Sequence, residues 1–305
     1  MSTLRYAVRH ETCYSYGREV AHSHQLLHLT PRHSSRQACL EHRIEIEPSP
    51  AVRSEHVDAF GNRVTRVELD RPHDELSVRA EMIVSLESTP EPPAAEAASW
   101  ESVRDGLRYH SQPRTPDWLE AMRFRGESPY VRVKRLFSDF ASDCLASGRG
   151  VLDVADCLMA KVHAEFTYAP GETEIATPLL EVFRTRRGVC QDYAHFMIAC
   201  LRSAGLAARY VSGYLRTHTP EQPDTASHLL GADASHAWVA VFAPPFGWVE
   251  FDPTNNLRVR QEHVALAWGR DFGDVSPLRG VILGGGSHTL AVRVQVRPLP
   301  VPPAE

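Results

Sequence analysis

Three residues of this 305-residue chain, Cys190, His236 and Asp252, have the types and surroundings that nucleophilic catalysis needs. Cys190 follows Gly188-Val189 in RTRRGVCQDYAHFMIACLRSAG, at the point where an apolar helix begins. A thiolate is the nucleophilic form of cysteine, and the positive end of a helix dipole stabilises it. Many free cysteines only pack, so the position has meaning only if a base is near. His195, five residues on, lies roughly 140° round the helix and faces elsewhere, as a packed or surface histidine. His236 is better placed. It opens the strand SHAWVAVF, on which His236, Trp238, Ala240 and Phe242 share a face, and Trp248, Glu250 and Asp252 share a face of the next strand, GWVEFDPT. Whether Phe242 pairs with Trp248 or Val241 with Gly247, the short APPFG loop leaves His236 opposite or diagonal to Asp252 on one face. A carboxylate there fixes the imidazole tautomer and supports the imidazolium. A plain cross-strand ion pair would account for His236 and Asp252 alone; with Cys190 they make a nucleophile, a base and its orienter.

The elements that must hold these residues are legible in the periodicity. From Leu4 to Glu87 the pattern alternates, as in Val78/Ala80/Met82/Val84/Leu86, which reads as an antiparallel β domain over 1–87, with Gly61-Asn62 as a turn. STPEPPAAEAAS, 88–99, lacks periodicity and reads as a linker. Over 100–305 helical spacing comes first, in SWESVRDGL, PDWLEAMRF, SPYVRVKRLFSDFAS and GVLDVADCLMAKVHAEF. Before Cys190 a further helix is capped by Thr177, with Pro178 at its first helical position, Arg184, Arg186 and Arg187 complementing the dipole on a solvated face, and Gly188 ending it. AARYVSGYL, SHAWVAVF, GWVEFDPT and SHTLAVRVQV then read as strands, the α+β pattern. The loop 216–234, long for a compact domain, is expected to wall a substrate cleft. Hydrophobic residues at 43% and a net charge of −5 describe a globular protein with no basic field for nucleic acid and no apolar run to cross a membrane. The alternating N-terminus shows no secretory signal, which favours the cytoplasm. Six cysteines without a CxxC pair suggest neither a disulfide scaffold nor a zinc finger, and Cys190 and Cys200 are expected as free thiols.

GVCQDYAHFMIACLRSAGLAARYVSGYL followed by SHAWVAVFAPPFGWVEFDPTN resembles the transglutaminase-like core in its cysteine, histidine and aspartate blocks, over about 155–256. SHQLLHLTPR and DAFGNRV resemble the β domain that precedes this core in the family's bacterial branch. The resemblance implies a papain-like core, a helix headed by the cysteine against an antiparallel sheet, preceded by an all-β domain. It assigns Cys190 as nucleophile, His236 as base and Asp252 as orienter. It also implies acyl transfer through a thioester, from a peptide or protein amide to water or to an amine, without a cofactor. The oxyanion then needs donors: the backbone N–H of Cys190 is one, and Tyr168 is a second candidate against its ordinary role as an amphipathic tyrosine. Gln191 has no clear place in a papain-type role. Trp238 and Trp248 are expected mainly as core, with an edge able to shape an acyl pocket.

Two other readings compete. His22, His24, His28 and His33 lie close in sequence, but no carboxylate or cysteine joins them at ligand spacing, so polar strand edges explain them. Cys190, His236 and Asp252 could hold a metal themselves, although a fourth ligand is not apparent. The fold could instead serve binding without catalysis. Between cross-linking of glutamine and hydrolysis, the absence of a DxDxDG calcium loop favours a peptidase or amidase.

Overall fold

The alternation that starts at Leu4 becomes one unusually long strand in the computed structural model, which describes residues 3–109, 113–217, 229–232 and 234–300. Along the chain the elements are β1 (Thr3–Leu27), β2 (Gln37–Glu47), β3 (Val52–Val57), β4 (Arg63–Leu69) and β5 (His73–Glu87), then α1 (Trp100–Gly106), α2 (Pro116–Met122), α3 (Arg135–Phe140) and α4 (Val151–Glu165). They continue with β6 (Thr167–Tyr168), α5 (Leu179–Thr185), β7 (Arg187–Gly188), α6 (Cys190–Ser203), β8 (Ala208–Leu215), β9 (His236–Phe242), β10 (Trp248–Asp252) and β11 (Leu257–Arg258). The last are β12 (His263–Gly269), α7 (Phe272–Val275), β13 (Leu278–Gly284) and β14 (His288–Leu299).

β1 is the spine of a seven-stranded antiparallel sheet ordered β2-β5-β1-β4-β3, onto which β13 and β14 also pair. Its first half is hydrogen-bonded to β5 and β14 and its second half to β4 and β13, with the register broken between Ser15 and Val20. The change of period assigns everything from 100 to 305 to the second domain, whereas strand pairing puts β13 and β14 on the first sheet. The reason is physical: SHTLAVRVQV alternates equally well for either sheet, and nothing local names its partner.

The second sheet runs β11-β10-β9-β8-β12. α6 lies on β8 and β9 and is itself enclosed by α3, α4 and α5. Helix α6 earns this central place by composition: Tyr193 to Arg202 are all buried, an apolar helix with no solvent face. Around Phe196 stand Phe137, Phe140, Phe166 and Phe183, three of them edge-on or tilted, and the Arg186 guanidinium lies 4.2 Å from the centre of the Phe183 ring. Arg186 is therefore a packed cation rather than part of a solvated face. It also takes the left-handed conformation that closes α5 (φ 56°), so the helix ends at Thr185, three residues before Gly188. Cys144 and Cys157 form a disulfide between the turn before α4 and α4 itself; the six cysteines thus include one bridge, and Cys13, Cys39, Cys190 and Cys200 are free.

The two sheets meet at β12. β8 holds one edge of this strand, and side-chain amides of the first domain hold the other. Gln37 donates to the Ala265 carbonyl (2.7 Å) and accepts from its N–H (2.8 Å). Asn62 does the same for Trp268, at 2.9 and 3.0 Å. Arg32 donates to Asn62 Oδ1 and lies 3.4 Å over the Trp268 ring. The segments SHQLLHLTPR and DAFGNRV thus lead into, or supply, a clamp on the second sheet.

Candidate active site

Cys190 is the first residue of α6, half-buried, with its N–H among those that have no partner within the helix. The turn that delivers it is fixed by Asp192, whose Oδ2 accepts from the Val189 N–H (2.8 Å) and the Thr173 hydroxyl (2.7 Å). Burial raises the Asp192 carboxyl above its usual range. Gly188 is required here because a Cβ on it would run into the Asp192 carboxylate. The two-residue strand β6 pairs with β7, placing Tyr168 beside Gly188 and so near the turn that presents Cys190.

The hairpin geometry follows the sequence expectation. Phe242 pairs with Trp248, and Phe251 with Val239, so Asp252 is diagonal to His236 on one face. His236 Nε2–H donates to Asp252 Oδ2 at 2.9 Å, with both side chains fully buried. Nδ1 is left without a conventional hydrogen bond and is the ring nitrogen that remains for Cys190. Burial alone would lower the basicity of His236; the charges of Asp252 and Cys190 overrule it and raise the imidazole to about 10. Burial likewise opposes the charge on Asp252, yet His236 and a second histidine hold the carboxyl well below the usual range.

That second histidine, His263 at the start of β12, carries no signal in motif spacing. Its Nε2–H donates to the same Asp252 Oδ2 at 3.1 Å. Asn255 adds a third donor to that oxygen through Nδ2 (2.8 Å), while Oδ1 accepts from the backbone N–H groups of Thr254 (2.9 Å) and Asn255 (3.2 Å). Asn255 also exchanges hydrogen bonds with the Leu230 backbone, accepting from its N–H (2.8 Å) and donating to its carbonyl (3.3 Å). Next to Leu230, Gly231 has φ 86°, and a Cβ there would lie 2.8 Å from His236 Nδ1 and 3.5 Å from the Tyr168 hydroxyl. Asn255 thus ties the end of the expected cleft loop to the carboxylate; residues 218–228 and 233 of that loop lie outside the described residues.

The remaining expectations sort plainly. His195 is a core residue, stacked on Tyr130 and accepting the Phe272 N–H at Nε2 (3.1 Å). Trp238 is fully buried beneath the two histidines, donates to Glu250 and meets the His263 ring edge-on; Gly213 makes room for its indole. Trp248 packs on Phe124 and Phe242 and donates to Glu120, so both tryptophans take the packing role. Gln191 reaches the Ile175 carbonyl (3.4 Å). Of the early histidines, His28 is buried against Ser276 and Asp58, and His24 pairs with Glu68. Among the described residues, the group able to share an ion is His236, Asp252 and His263, with ligand-type atoms within 4.8 Å. Their N–O separations are those of N–H···O bonds, and both Nδ1 atoms lack the partner that orients a metal-bound imidazole, so the set suits hydrogen bonding.

Residues 6–85 match the family model of the bacterial transglutaminase-like N-terminal region, and residues 138–253 that of the transglutaminase-like superfamily. An uncharacterized protein of Mycobacterium tuberculosis is 37% identical over 307 residues, spanning 97% of this chain and 93% of that one. A protein-glutamine gamma-glutamyltransferase of Pseudomonas aeruginosa is 37% identical over 186 residues, 54% of this chain and 27% of that protein. In fold, a crystal structure from Cytophaga hutchinsonii, described provisionally as a cysteine protease, superposes with a TM-score of 0.74 at 18% identity, covering 100% of this chain and 93% of that one.

Proposed function

The chain belongs to the transglutaminase-like superfamily, and from that premise we propose that it is a cysteine-dependent acyl-transfer enzyme, a peptidase or amidase, that uses Cys190, His236 and Asp252. The observation that carries the reading is the disposition of His236: Nε2 is committed to a buried carboxylate, and Nδ1 is left on the side of the helix-start cysteine.

The steps follow from these roles. The Cys190 sulfur adds to an amide carbonyl carbon, and the C=O electrons move to oxygen, near the N–H of Cys190 and, on this proposal, the Tyr168 phenol. As the tetrahedral species collapses, His236 Nδ1–H passes its proton to the leaving nitrogen and the C–N bond breaks, leaving a thioester. Water then gives a proton to Nδ1 as its oxygen adds to the thioester carbon, and the C–S bond breaks to release the acid and the thiolate–imidazolium pair. Asp252 stays ionised throughout. A primary amine in place of water would give cross-linking, which hydroxylamine or a labelled amine competing for the thioester would reveal. The Cys144–Cys157 bond argues for an oxidising compartment over the cytoplasm that the N-terminal alternation favours. No described helix is long and apolar enough to cross a membrane.

The other three free thiols make the test clean. Cys13 is held above its ordinary value by the Glu75 carboxylate, and Cys39 and Cys200 by burial. Iodoacetamide labelling mapped by mass spectrometry should therefore modify Cys190 alone below about pH 7, and His236→Ala should remove that reactivity. Labelling of Cys190 no faster than of Cys13, in wild type and variant alike, would transfer the fold to a binding role.

A further inference from the structure

His263 is buried, ionisable and unused by the steps above. It lies on a different strand from His236, yet the two Nε2 atoms converge on one oxygen of Asp252, at 3.1 and 2.9 Å. With Asn255, Thr254 and the Asn255 backbone, the carboxylate accepts five N–H groups, more than its roughly four lone-pair directions can serve at full strength. Removing one donor would leave four to fix the carboxylate's orientation. What His263 adds beyond orientation is therefore competition for the electron density of Oδ2. Its ring is held for that purpose, edge-on to Trp238 at 5.2 Å, on a strand clamped from both sides.

We propose that His263 is a positioning residue that acts through Asp252: by drawing on Oδ2 it weakens the support that Asp252 gives the His236 imidazolium through Nε2–H, so that His236 more readily gives up its Nδ1 proton to the leaving nitrogen. The proposal rests on the acyl-transfer reading. An orienting carboxylate that is too basic would keep the imidazolium charged and make it a poor acid, whereas a general acid works best when its proton affinity is near the working pH. The groups facing His236 are Cys190 from α6, Asp252 from β10, His263 from β12 and, across Gly231, the Tyr168 phenol from β6. Those around His263 are Asp252 and, along the cavity of about 930 Å³ that this residue helps to line, Arg216 and Glu262.

The test follows the ¹⁵N imidazole signals of His236 against pH by NMR in a Cys190→Ala background, which removes the thiol that faces the ring. His263→Leu should raise the pH at which His236 loses its proton by about one unit, because the carboxylate regains charge when a donor is lost. His263→Gln, which can place an amide N–H toward Oδ2, should restore it to within roughly a third of a unit. His263→Asn, too short to reach, serves as the second polar variant should the leucine not be accommodated, and should behave as the leucine does. An unchanged His236 titration in folded His263→Leu or His263→Asn overturns the proposal. Iodoacetamide labelling of the proteins that keep Cys190 is read alongside: loss of acid-side labelling in the wild type overturns the enzyme reading, while labelling with an unmoved titration overturns His263 alone.

Discussion

At the scale of single residues, the catalytic candidates could be found because their types are scarce and their neighbours informative. A cysteine after Gly-Val at a helix start and a His and Asp of matching parity on a two-strand hairpin can be located with no contact known. His263 and Asn255 could not. His263 stands eleven positions beyond Asp252, past the β11 turn, and its strand reads as ordinary alternation, so no local register links it to the site. His195 shows how a histidine in the same helix is spent on packing, and its burial has a measurable consequence. Burial, followed by the nearby Arg202, lowers it to about 3, so below the unfolded value near 6.5 the unfolded chain gains a proton that the folded chain refuses. Stability contributed by this residue is then complete above about pH 6.5 and lost by roughly 1.4 kcal/mol per pH unit as the pH falls toward 3. His195→Gln, which keeps an acceptor for the Phe272 N–H, should flatten that acid limb by about one proton in urea unfolding at pH 7, 6 and 5. An unchanged slope would mean that His195 is not the buried base it is drawn to be. His10, lowered to about 4 by burial, adds a second proton of the same sign.

At the scale of elements, the helix that presents Cys190 depends on a device spread over three short segments. β7 supplies Gly188, α6 supplies Asp192, and the loop before α5 supplies Thr173, all meeting at one carboxylate oxygen. Gly188→Ala should push that carboxylate aside, cost about 2 kcal/mol through the lost cap and its charge-assisted bond, and slow the labelling of Cys190 at neutral pH. Denaturant unfolding and the labelling rate check this together; a variant as stable and as reactive as the wild type would show that Asp192 does not set the turn. Helix positions were readable from three-and-four spacing, but ends were not. α3 begins at Arg135, after a Ser128–Val131 turn that the apolar spacing runs straight through. α5 is closed by Arg186 because an aromatic cluster welcomes its guanidinium, a tertiary reason that no propensity contains. The Cys144–Cys157 bridge escaped notice for a similar reason, since the turn before α4 that brings the two together is not written in their spacing.

At the scale of the whole molecule, the first domain is joined to the site by the strand that carries His263. Gln37 and Asn62 act on β12 as a neighbouring strand would, each exchanging both an N–H and a carbonyl bond. Asn62→Ala would leave the Trp268 N–H and carbonyl without those partners, at about 1–3 kcal/mol for each buried group. The expected result is a loss of roughly 3 kcal/mol in one cooperative unfolding transition, with slower labelling of Cys190 although Asn62 lies in another domain. Two separate transitions, or a second domain unaffected in stability and reactivity, would uncouple the halves. The split into a β domain and a helical-plus-sheet domain was visible in the change of period; the return of β13 and β14 was not, because pairing partners are a global choice.

That return also sets a schedule for making the protein. During synthesis β1 emerges early and finds β5 and β4 within the next stretch of chain, but the edge destined for β13 and β14 must wait until the whole intervening core has been made. At about 5–20 residues per second this is a delay of some tens of seconds, during which a long strand edge stands open on the ribosome. The nascent chain therefore carries its greatest risk of misassociation before its second sheet exists, and a chaperone that shields this edge would matter more to yield than one that acts on the released, completed chain.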